Sequence, residues 1–245
     1  ARLLLKRLRW DLKLESWYSR KKLTTLKNKY LNQKAVILCN GPSLLKCDFK
    51  LLKSVYCFGL NKINLLFKKE NFRPNCIVAT NPFIIYQNRK YFNKCKINLF
   101  LNSDSLLNKV IRPKKNITFF HSTTQGFARD CSYSINEGYT VTYVALQLAF
   151  HMGFKSVAIV GADHYYDYKG QANQLVFNKK KNNSHFDSKY FLNQKFQLPD
   201  LLQSEISYKI AKQVYEAHGR KIINATSGGR LEIFERQKLF NFMQK

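Results

Sequence analysis

The chain has 245 residues, of which 45% are hydrophobic and 14% aromatic, so it carries too much apolar surface for a disordered protein and enough for one large domain. Lysine and arginine number 42 against 15 acidic residues, and the resulting formal charge of +27 predicts a surface that attracts polyanions. Its apolar runs are too short to cross a bilayer and its first residues lack a signal-peptide pattern, so we expect a cytoplasmic protein.

The first 34 residues form a basic, leucine-rich segment. Apolar residues recur at helical spacing among its lysines and arginines, which predicts an amphipathic helix; they are Leu4, Leu8, Leu12 or Trp10, Leu14 and Trp17. We expect its apolar face to pack on the domain that follows, residues 35–245. Basic flanks with tryptophan also suit peripheral contact with a membrane, here the inner membrane surface.

From residue 34 onward, short β-rich runs alternate with helix-compatible stretches. The runs are continuously apolar, as in strands buried on both faces, and lie at 35–39, 55–60, 76–80, 97–101, 117–120, 157–161 and 221–224. Helical periodicity marks 140–152 and 205–218, and we expect a further helix at 231–240. This alternation predicts an α/β fold, a Rossmann-like, doubly wound and mostly parallel sheet. Residues 165–198 are polar and aperiodic, which favours a long, lid-like insertion.

Ligands of an open parallel sheet bind beyond the carboxyl ends of its strands, so the residues just after each apolar run are the candidates for a site. In chain order these candidates are Asn40, Gly41, Pro42, Ser43, Gly59, Asn61, Asn81, Gly161, Asp163, His164, Ser227 and Gly228. Neither a P-loop nor a GxGxxG pattern occurs among them.

The turn formed by residues 40–43 has the composition of an anion site. Gly41 lets the backbone approach a ligand, and the exposed amides and the Ser43 hydroxyl can hold a phosphate. Asn61 and Asn81 can donate to phosphate or ribose and accept from a base or a sugar hydroxyl. Each of these residues also suits an ordinary turn.

Four further residues are candidates for chemistry or for closing the site. Asp163 could ligate a metal through phosphate, orient an acceptor hydroxyl, or cap the following segment, and His164 could act as acid or base. His185 lies in the insertion and could close over the ligand beside Tyr165 and Tyr166. A structural role is open for each histidine. The turn at Ser227 and Gly228 either contacts the nucleotide or leads into the last helix.

Taken in order, several motifs resemble the MptE-like family, named for 6-hydroxymethylpterin diphosphokinase. They occupy residues 40–43, 58–62, 81–82, 138–166, 183–186 and 224–231, and the resemblance covers roughly residues 30–240. That family also includes the motility accessory factor proteins, associated with transfer of nonulosonic acid sugars, and is similar to the bacterial sialyltransferases of glycosyltransferase family 42.

The resemblance implies roles for particular residues. In the sialyltransferases an Asn-Gly-Pro-Ser turn and two strand-end asparagines hold a CMP-activated sugar, which carries over to Asn40, Gly41, Ser43, Asn61 and Asn81 of this chain. Thr140 and Thr142 fall where a hydroxyl-rich turn meets the donor. The position of the sialyltransferase catalytic histidine holds Lys189 here, and His185 matches the histidine that precedes it. His185 is therefore the candidate base.

We accordingly expect a transferase that moves a nonulosonic acid-type sugar from a CMP-sugar to a surface glycan. The expected acceptor is an acidic glycan or a phosphorylated molecule, and we expect no cofactor or metal to be needed. The first alternative is a diphosphokinase that uses ATP and Mg²⁺, with Asp163 as the metal-side carboxylate. The second is a non-catalytic binder of polyanions, meaning nucleic acid or a membrane surface; the charge supports it, but no nucleic-acid module is recognisable, so we do not expect nucleic acid as a partner.

Overall fold

A parallel sheet of eight strands forms the centre of the protein in a computed structural model that describes residues 2–124, 126–168, 170–181 and 183–244. The described residues form these eight strands and four more, which pair in two small sheets, β6 with β7 and β9 with β10. In chain order the strands are β1 Lys34–Leu38, β2 Tyr56–Leu60, β3 Cys76–Ala79, β4 Asn98–Asn102, β5 Ile117–Phe120, β6 Ser122–Thr123, β7 Ile135–Asn136, β8 Ser156–Val160, β9 Leu175–Asn178, β10 Gln194–Gln197, β11 Lys221–Asn224 and β12 Glu235–Arg236. The sheet order is β12-β11-β8-β1-β2-β3-β4-β5, and every neighbouring pair is parallel.

The seven predicted strands are confirmed, each to within one residue at either end. Their side chains alternate between two hydrophobic clusters, one on each face of the sheet: Val36 and Leu38 belong to one cluster, Ala35 and Ile37 to the other. All four are fully buried. Burial on both faces explains why these runs lack the polar alternation of a half-exposed strand.

The helices are α1 Arg2–Asp11, α2 Leu14–Leu26, α3 Pro82–Gln87, α4 Arg89–Phe92, α5 Asp104–Leu107, α6 Val141–His151, α7 Leu201–Ala217 and α8 Leu239–Gln244. The prediction for 140–152 is confirmed by α6, whose N-cap is Thr140. The helix predicted for 205–218 starts earlier, at Leu201, because the Asp200 carboxylate accepts a hydrogen bond from the Gln203 amide (3.0 Å) and so caps an additional turn.

The N-terminal segment packs on the edge of the sheet, but not through its predicted leucine stripe. Leu4, Leu8 and Leu12 are exposed, whereas Trp10 and Leu23 are buried. On α2, the Ser19 hydroxyl accepts from the Phe119 amide (3.0 Å), and Lys22 donates to the carbonyls of Lys115 and Ile117 (both 2.8 Å). Helix α2 thereby covers the free edge of β5, which would otherwise expose unpaired backbone groups.

The helix predicted for residues 231–240 is wrong. Strand β12 pairs with β11 there, and helix α8 begins only at Leu239. Leu231 and Phe234 are both buried, so their spacing resembles a helical period without belonging to a helix. The Arg236 guanidinium donates to the carbonyls of Gly228 (2.7 Å) and Gly229 (3.1 Å) and holds this segment extended.

The insertion at residues 165–198 folds over the carboxyl ends of the strands. Strands β9 and β10 form an antiparallel hairpin within it. Phe186, Tyr190 and Phe196 of this segment are buried in the same hydrophobic cluster as one face of the sheet. The insertion therefore covers this end of the sheet as part of the folded core.

Candidate functional site

A cavity of about 480 Å³ lies beyond the carboxyl ends of β1, β2, β3 and β8, under the insertion. The chain runs from β1 outward to β5 in one direction and returns to β8 on the other side of β1, so the cavity lies at the topological switch point of the sheet. Predicted site residues that line it are Asn40, Gly41, Asn61, Asn81, Thr140, Thr142, Gly161, Asp163, His164, Tyr165, Tyr166 and His185.

The turn after β1 is fixed in place by Asp163. The Asp163 Oδ2 atom accepts from the Ser43 hydroxyl (2.7 Å) and from the Ser43 amide (3.2 Å). Gly41 has an ordinary φ of −70°, yet a Cβ atom there would overlap Asp163 Oδ2 and lie 2.6 Å from the Gly161 carbonyl oxygen. Glycine is therefore required at position 41 by close packing of two strand-end loops rather than by its dihedral angle.

Asn40 lines the cavity and carries a buried acceptor without a partner. Its side-chain amide donates to the Leu60 carbonyl (3.0 Å), and its backbone carbonyl accepts from the Phe186 amide (2.9 Å), which ties the insertion to this turn. The remaining oxygen, Oδ1, is buried and has no hydrogen-bond partner. A buried acceptor without a partner is costly, so this atom is suited to a ligand hydroxyl or amino group.

Asn61 and Asn81, the two other predicted asparagines, make different contacts within the protein. Asn61 has a left-handed backbone (φ 50°) at the end of β2, and its amide continues the ladder to Val78. Asn81 is the N-cap of α3: its Oδ1 accepts from the Phe83 amide (2.9 Å), and its Nδ2 donates to Gln197 (3.2 Å). Asn81 lines the cavity but already uses both ends of its side chain within the protein.

Helix α6 directs its N-terminus toward the cavity, where Thr140 and Thr142 contribute hydroxyl groups. The Thr140 hydroxyl caps the helix and lies 3.3 Å from the hydroxyl of Tyr208. Glu137, three residues earlier, also lines the cavity and accepts from Asn102 Nδ2 (2.5 Å). Burial raises the pKa of Glu137. Sequence reasoning missed this carboxylate because a single glutamate before a helix has the pattern of a surface turn.

His185 is held in an aromatic and cationic environment. Its ring stacks on Tyr190 at a centroid distance of 4.1 Å, and its Nδ1 atom is buried without a partner. The buried Lys62 ammonium donates to the carbonyl of Tyr190 (2.9 Å) and to the side chains of Gln87 (2.7 Å) and Gln194 (2.6 Å). Burial and the charge of Lys62 lower the pKa of His185 to about 3.

His164 faces the cavity from the loop after β8, with a left-handed backbone (φ 53°). Its Nε2 atom lies 3.0 Å from Glu205 Oε1, near the start of α7. The Arg230 guanidinium covers the ring of the neighbouring Tyr165 at 4.5 Å. The role of Glu205 was missed because the sequence places it 41 residues from His164, and no local motif links the two.

The remaining predicted residues lie outside this cavity. Gly59 packs within β2, where a Cβ would lie 2.7 Å from Ile63 and 2.9 Å from Pro74. Pro42 begins the 3₁₀ helix after the turn. Ser43 and Ser227 line a second cavity of about 500 Å³ beside β11, together with basic side chains, and Gly228 has open space around it.

The cavity is not basic, although the chain carries a net charge of +27. No lysine or arginine lines it among the residues that the structure describes, whereas Glu137, Asp163 and Asp200 do. The lining is completed by hydroxyl, carboxamide and aromatic groups. Within the described residues, no three His, Cys, Asp or Glu side chains converge to hold a metal ion. Among the described lining residues, the groups that could hold an anion are backbone amides, hydroxyls and the N-terminus of α6.

The fold is that of a Rossmann-like α/β protein with a cavity at the switch point of a parallel sheet. The chain belongs to the MptE-like family: residues 11–169 match the family described as 6-hydroxymethylpterin diphosphokinase MptE-like. The expected resemblance is thereby confirmed.

The fold is similar to that of a solved MAf glycosyltransferase from Magnetospirillum magneticum AMB-1, with a TM-score of 0.55 and 12% sequence identity. The similarity covers 94% of this chain and 39% of that protein, so the chain spans well under half of its length. No curated protein matches the chain. Across the described residues, the helices are all too short or too polar to span a membrane.

Proposed function

We propose that the protein is a transferase that takes a sugar of the nonulosonic acid type from a CMP-activated donor and moves it to a hydroxyl group of a surface glycan. Family membership and the fold shared with a glycosyltransferase support sugar transfer. The site residues proposed to hold the donor are those that meet in the cavity, above all Asn40, the amides of the turn that follows it, Asn61, and the hydroxyls of Thr140 and Thr142.

The observation that carries the choice of donor is the absence of lysine and arginine from the described cavity lining. ATP presents a chain of three phosphates, which proteins usually hold with a lysine and with Mg²⁺ between carboxylates. A CMP-activated nonulosonic acid carries one charge on its phosphodiester and one on the sugar carboxylate, fewer than ATP does, and neutral donors and a helix N-terminus can hold each of them. Asp163, the carboxylate that a magnesium-dependent reaction would use, already accepts two hydrogen bonds from Ser43.

The free oxygen of Asn40 adds a second constraint. Phosphate oxygens at neutral pH accept hydrogen bonds, so they cannot satisfy another acceptor. Cytosine carries an amino group and ribose carries hydroxyls, and either would provide the missing donor for Asn40 Oδ1. This atom therefore supports recognition of the nucleoside or sugar part of the donor.

Binding measurements test the proposal. Thermal shift and calorimetry with CMP, CDP, ATP plus Mg²⁺ and a short oligonucleotide should give stabilisation by the cytidine nucleotides without Mg²⁺. An Asn40→Ala variant should bind CMP about tenfold more weakly, as expected for the loss of one hydrogen bond to a buried acceptor. Asn98→Ala is the matched control, because Asn98 is exposed at the opposite end of β4.

Other outcomes would overturn the proposal. Magnesium-dependent stabilisation by ATP without any effect of CMP would favour the diphosphokinase. Salt-sensitive binding of the oligonucleotide alone would favour a non-catalytic polyanion binder. If CMP binds, release of CMP from CMP-N-acetylneuraminic acid in the presence of a glycan acceptor tests the transfer step itself.

A further inference from the structure

His164 and Glu205 form a pair at the wall of the cavity. The His164 side chain is only 9% exposed, that of Glu205 is 40% exposed, and Nε2 of the histidine lies 3.0 Å from Oε1 of the glutamate. The two residues come from different elements: His164 from the loop after β8 and Glu205 from helix α7. Their meeting therefore depends on the tertiary fold.

The pair fixes which ring nitrogen of His164 can accept a proton. A carboxylate accepts hydrogen bonds but cannot donate them, so Nε2 of His164 must carry the hydrogen that it donates to Glu205. The lone pair of a neutral ring is then on Nδ1. Within the described part of the chain, Nδ1 has no hydrogen-bond partner, and the residue itself lies in the cavity lining.

The backbone at His164 supports a functional reading. Its φ of 53° is in the left-handed region, which residues with a side chain adopt infrequently and which Asn, Asp and His adopt most often among them. Strain of this kind is concentrated at functional sites because folding alone does not favour it. Here the left-handed residue directly follows Asp163, whose carboxylate fixes the turn after β1. The loop thus connects the proposed donor site to the His164 ring.

His185, the base expected from the family resemblance, is less suited to accept a proton. It is enclosed by Tyr190 and Phe191 and lies near the buried Lys62 ammonium. A positive charge nearby opposes protonation, as does burial. His164 has the opposite arrangement, with a carboxylate that stabilises the imidazolium once it forms.

We propose that His164 is the general base of the transfer reaction and that Glu205 is the positioning residue that orients it, an inference that rests on the proposed function. In the step, Nδ1 of His164 takes the proton of the acceptor hydroxyl. The acceptor oxygen forms a bond to the anomeric carbon of the sugar, and the bond from that carbon to the phosphate oxygen breaks. The electron pair of that bond stays on the phosphate of the released CMP, and Glu205 stabilises the imidazolium.

Three other charged or titratable residues lie near His164 in the described structure. Asp163 precedes it in the loop, Tyr208 of α7 lies with its ring centroid 6.2 Å from that of His164, and Arg230 covers the ring of Tyr165.

Substituting Glu205 with glutamine removes the charge but retains the side-chain shape and an oxygen. Glu216→Gln on the same helix is the matched control, because Glu216 is exposed and distant from the cavity lining.

Nitrogen-15 NMR of histidine-labelled protein tests the pair without any substrate. The His164 signals, assigned by their loss in His164→Gln, should show the Nε2–H form above neutral pH. In Glu205→Gln the neutral ring should become a mixture of the Nε2–H and Nδ1–H forms, since a glutamine side chain can either accept from Nε2 or donate to it. Glu216→Gln should leave the Nε2–H form in place. An Nδ1–H form in the wild-type protein, or a ring form that Glu205→Gln does not change, would overturn the proposal.

Kinetics with CMP-N-acetylneuraminic acid test the catalytic role. We expect His164→Gln to lower kcat at least 100-fold, and Glu205→Gln to lower it about tenfold with KM unchanged. Retention of activity in His164→Gln, or a change confined to KM in Glu205→Gln, would overturn the proposal. A wild-type protein that releases no CMP would instead contradict the proposed donor, and the NMR assignment of the protonated ring nitrogen would then decide on the pair alone.

Discussion

Replacing Gly41 with alanine should destabilise the protein although the backbone angles at this position suit any residue. The added Cβ would overlap Asp163 Oδ2 and lie 2.6 Å from the Gly161 carbonyl oxygen. Rotation of the Asp163 side chain would relieve the first clash and break its two hydrogen bonds to Ser43. The second clash is with backbone, so the turn itself must shift.

The size of the effect follows from these two terms. Overpacking costs about 1–3 kcal/mol, and loss of a hydrogen bond to a charged group costs about 1.5–3 kcal/mol. With both bonds to Ser43 lost, we expect a loss of at least about 4 kcal/mol in the free energy of unfolding, which for a protein of this size lowers Tm by roughly 10 °C or more. Calorimetry or circular dichroism measures it, and CMP binding should weaken together with stability.

Gly219→Ala provides the matched control. Gly219 has a left-handed φ of 64°, and a Cβ there would meet nothing within 4 Å. That variant should lose only about 1 kcal/mol, the ordinary cost of a side chain in the left-handed region. The reasoning would be refuted if Gly41→Ala melted as high as Gly219→Ala, or if it bound CMP with wild-type affinity.

Two further predictions concern Lys62 and the N-terminal helix. Burial lowers the pKa of Lys62 from 10.5 to about 7, so between these pH values the unfolded chain binds the additional proton and stability rises with pH, by about 1.4 kcal/mol per unit. Lys62→Met removes this slope, and urea unfolding of both proteins across that range measures it; equal slopes would contradict the burial argument. The exposed Leu4, Leu8 and Leu12, flanked by basic residues, should bind anionic phospholipid vesicles but not neutral ones. Substituting all three with serine should weaken co-sedimentation at least tenfold, whereas Leu202→Ser, at another exposed leucine, should not; equal binding by both variants would argue against a membrane role for α1.

The strands of the sheet could be predicted closely because each is an uninterrupted apolar run, a pattern that burial on both faces imposes. The last helix could not. Leu231 and Phe234 are three residues apart and both buried, but the interactions that keep this segment extended are bonds from Arg236 to the backbone carbonyls of Gly228 and Gly229. A sequence pattern does not record such partners.

The candidate site was predictable in its position and less so in its chemistry. Strand ends converge in any parallel sheet, so Asn40, Asn61 and Asp163 were expected to meet. What each side chain is free to do depends on its partners: Asn81 is used as a helix cap, and Asp163 is bonded to Ser43. Glu205 joins the site only because α7 packs beside the loop after β8, a contact that no local signal reveals.

The chain is strongly cationic, but the described lining of the cavity contains no lysine or arginine. The rate at which an anionic molecule associates and the rate at which it dissociates therefore depend on different parts of the protein. Long-range attraction speeds the arrival of an anionic molecule and weakens with ionic strength, whereas short contacts inside the cavity determine how long it stays. Added salt should therefore slow the association of CMP far more than it changes its dissociation. CMP released by the proposed reaction would therefore dissociate without breaking an ion pair to a lysine or arginine of the described lining.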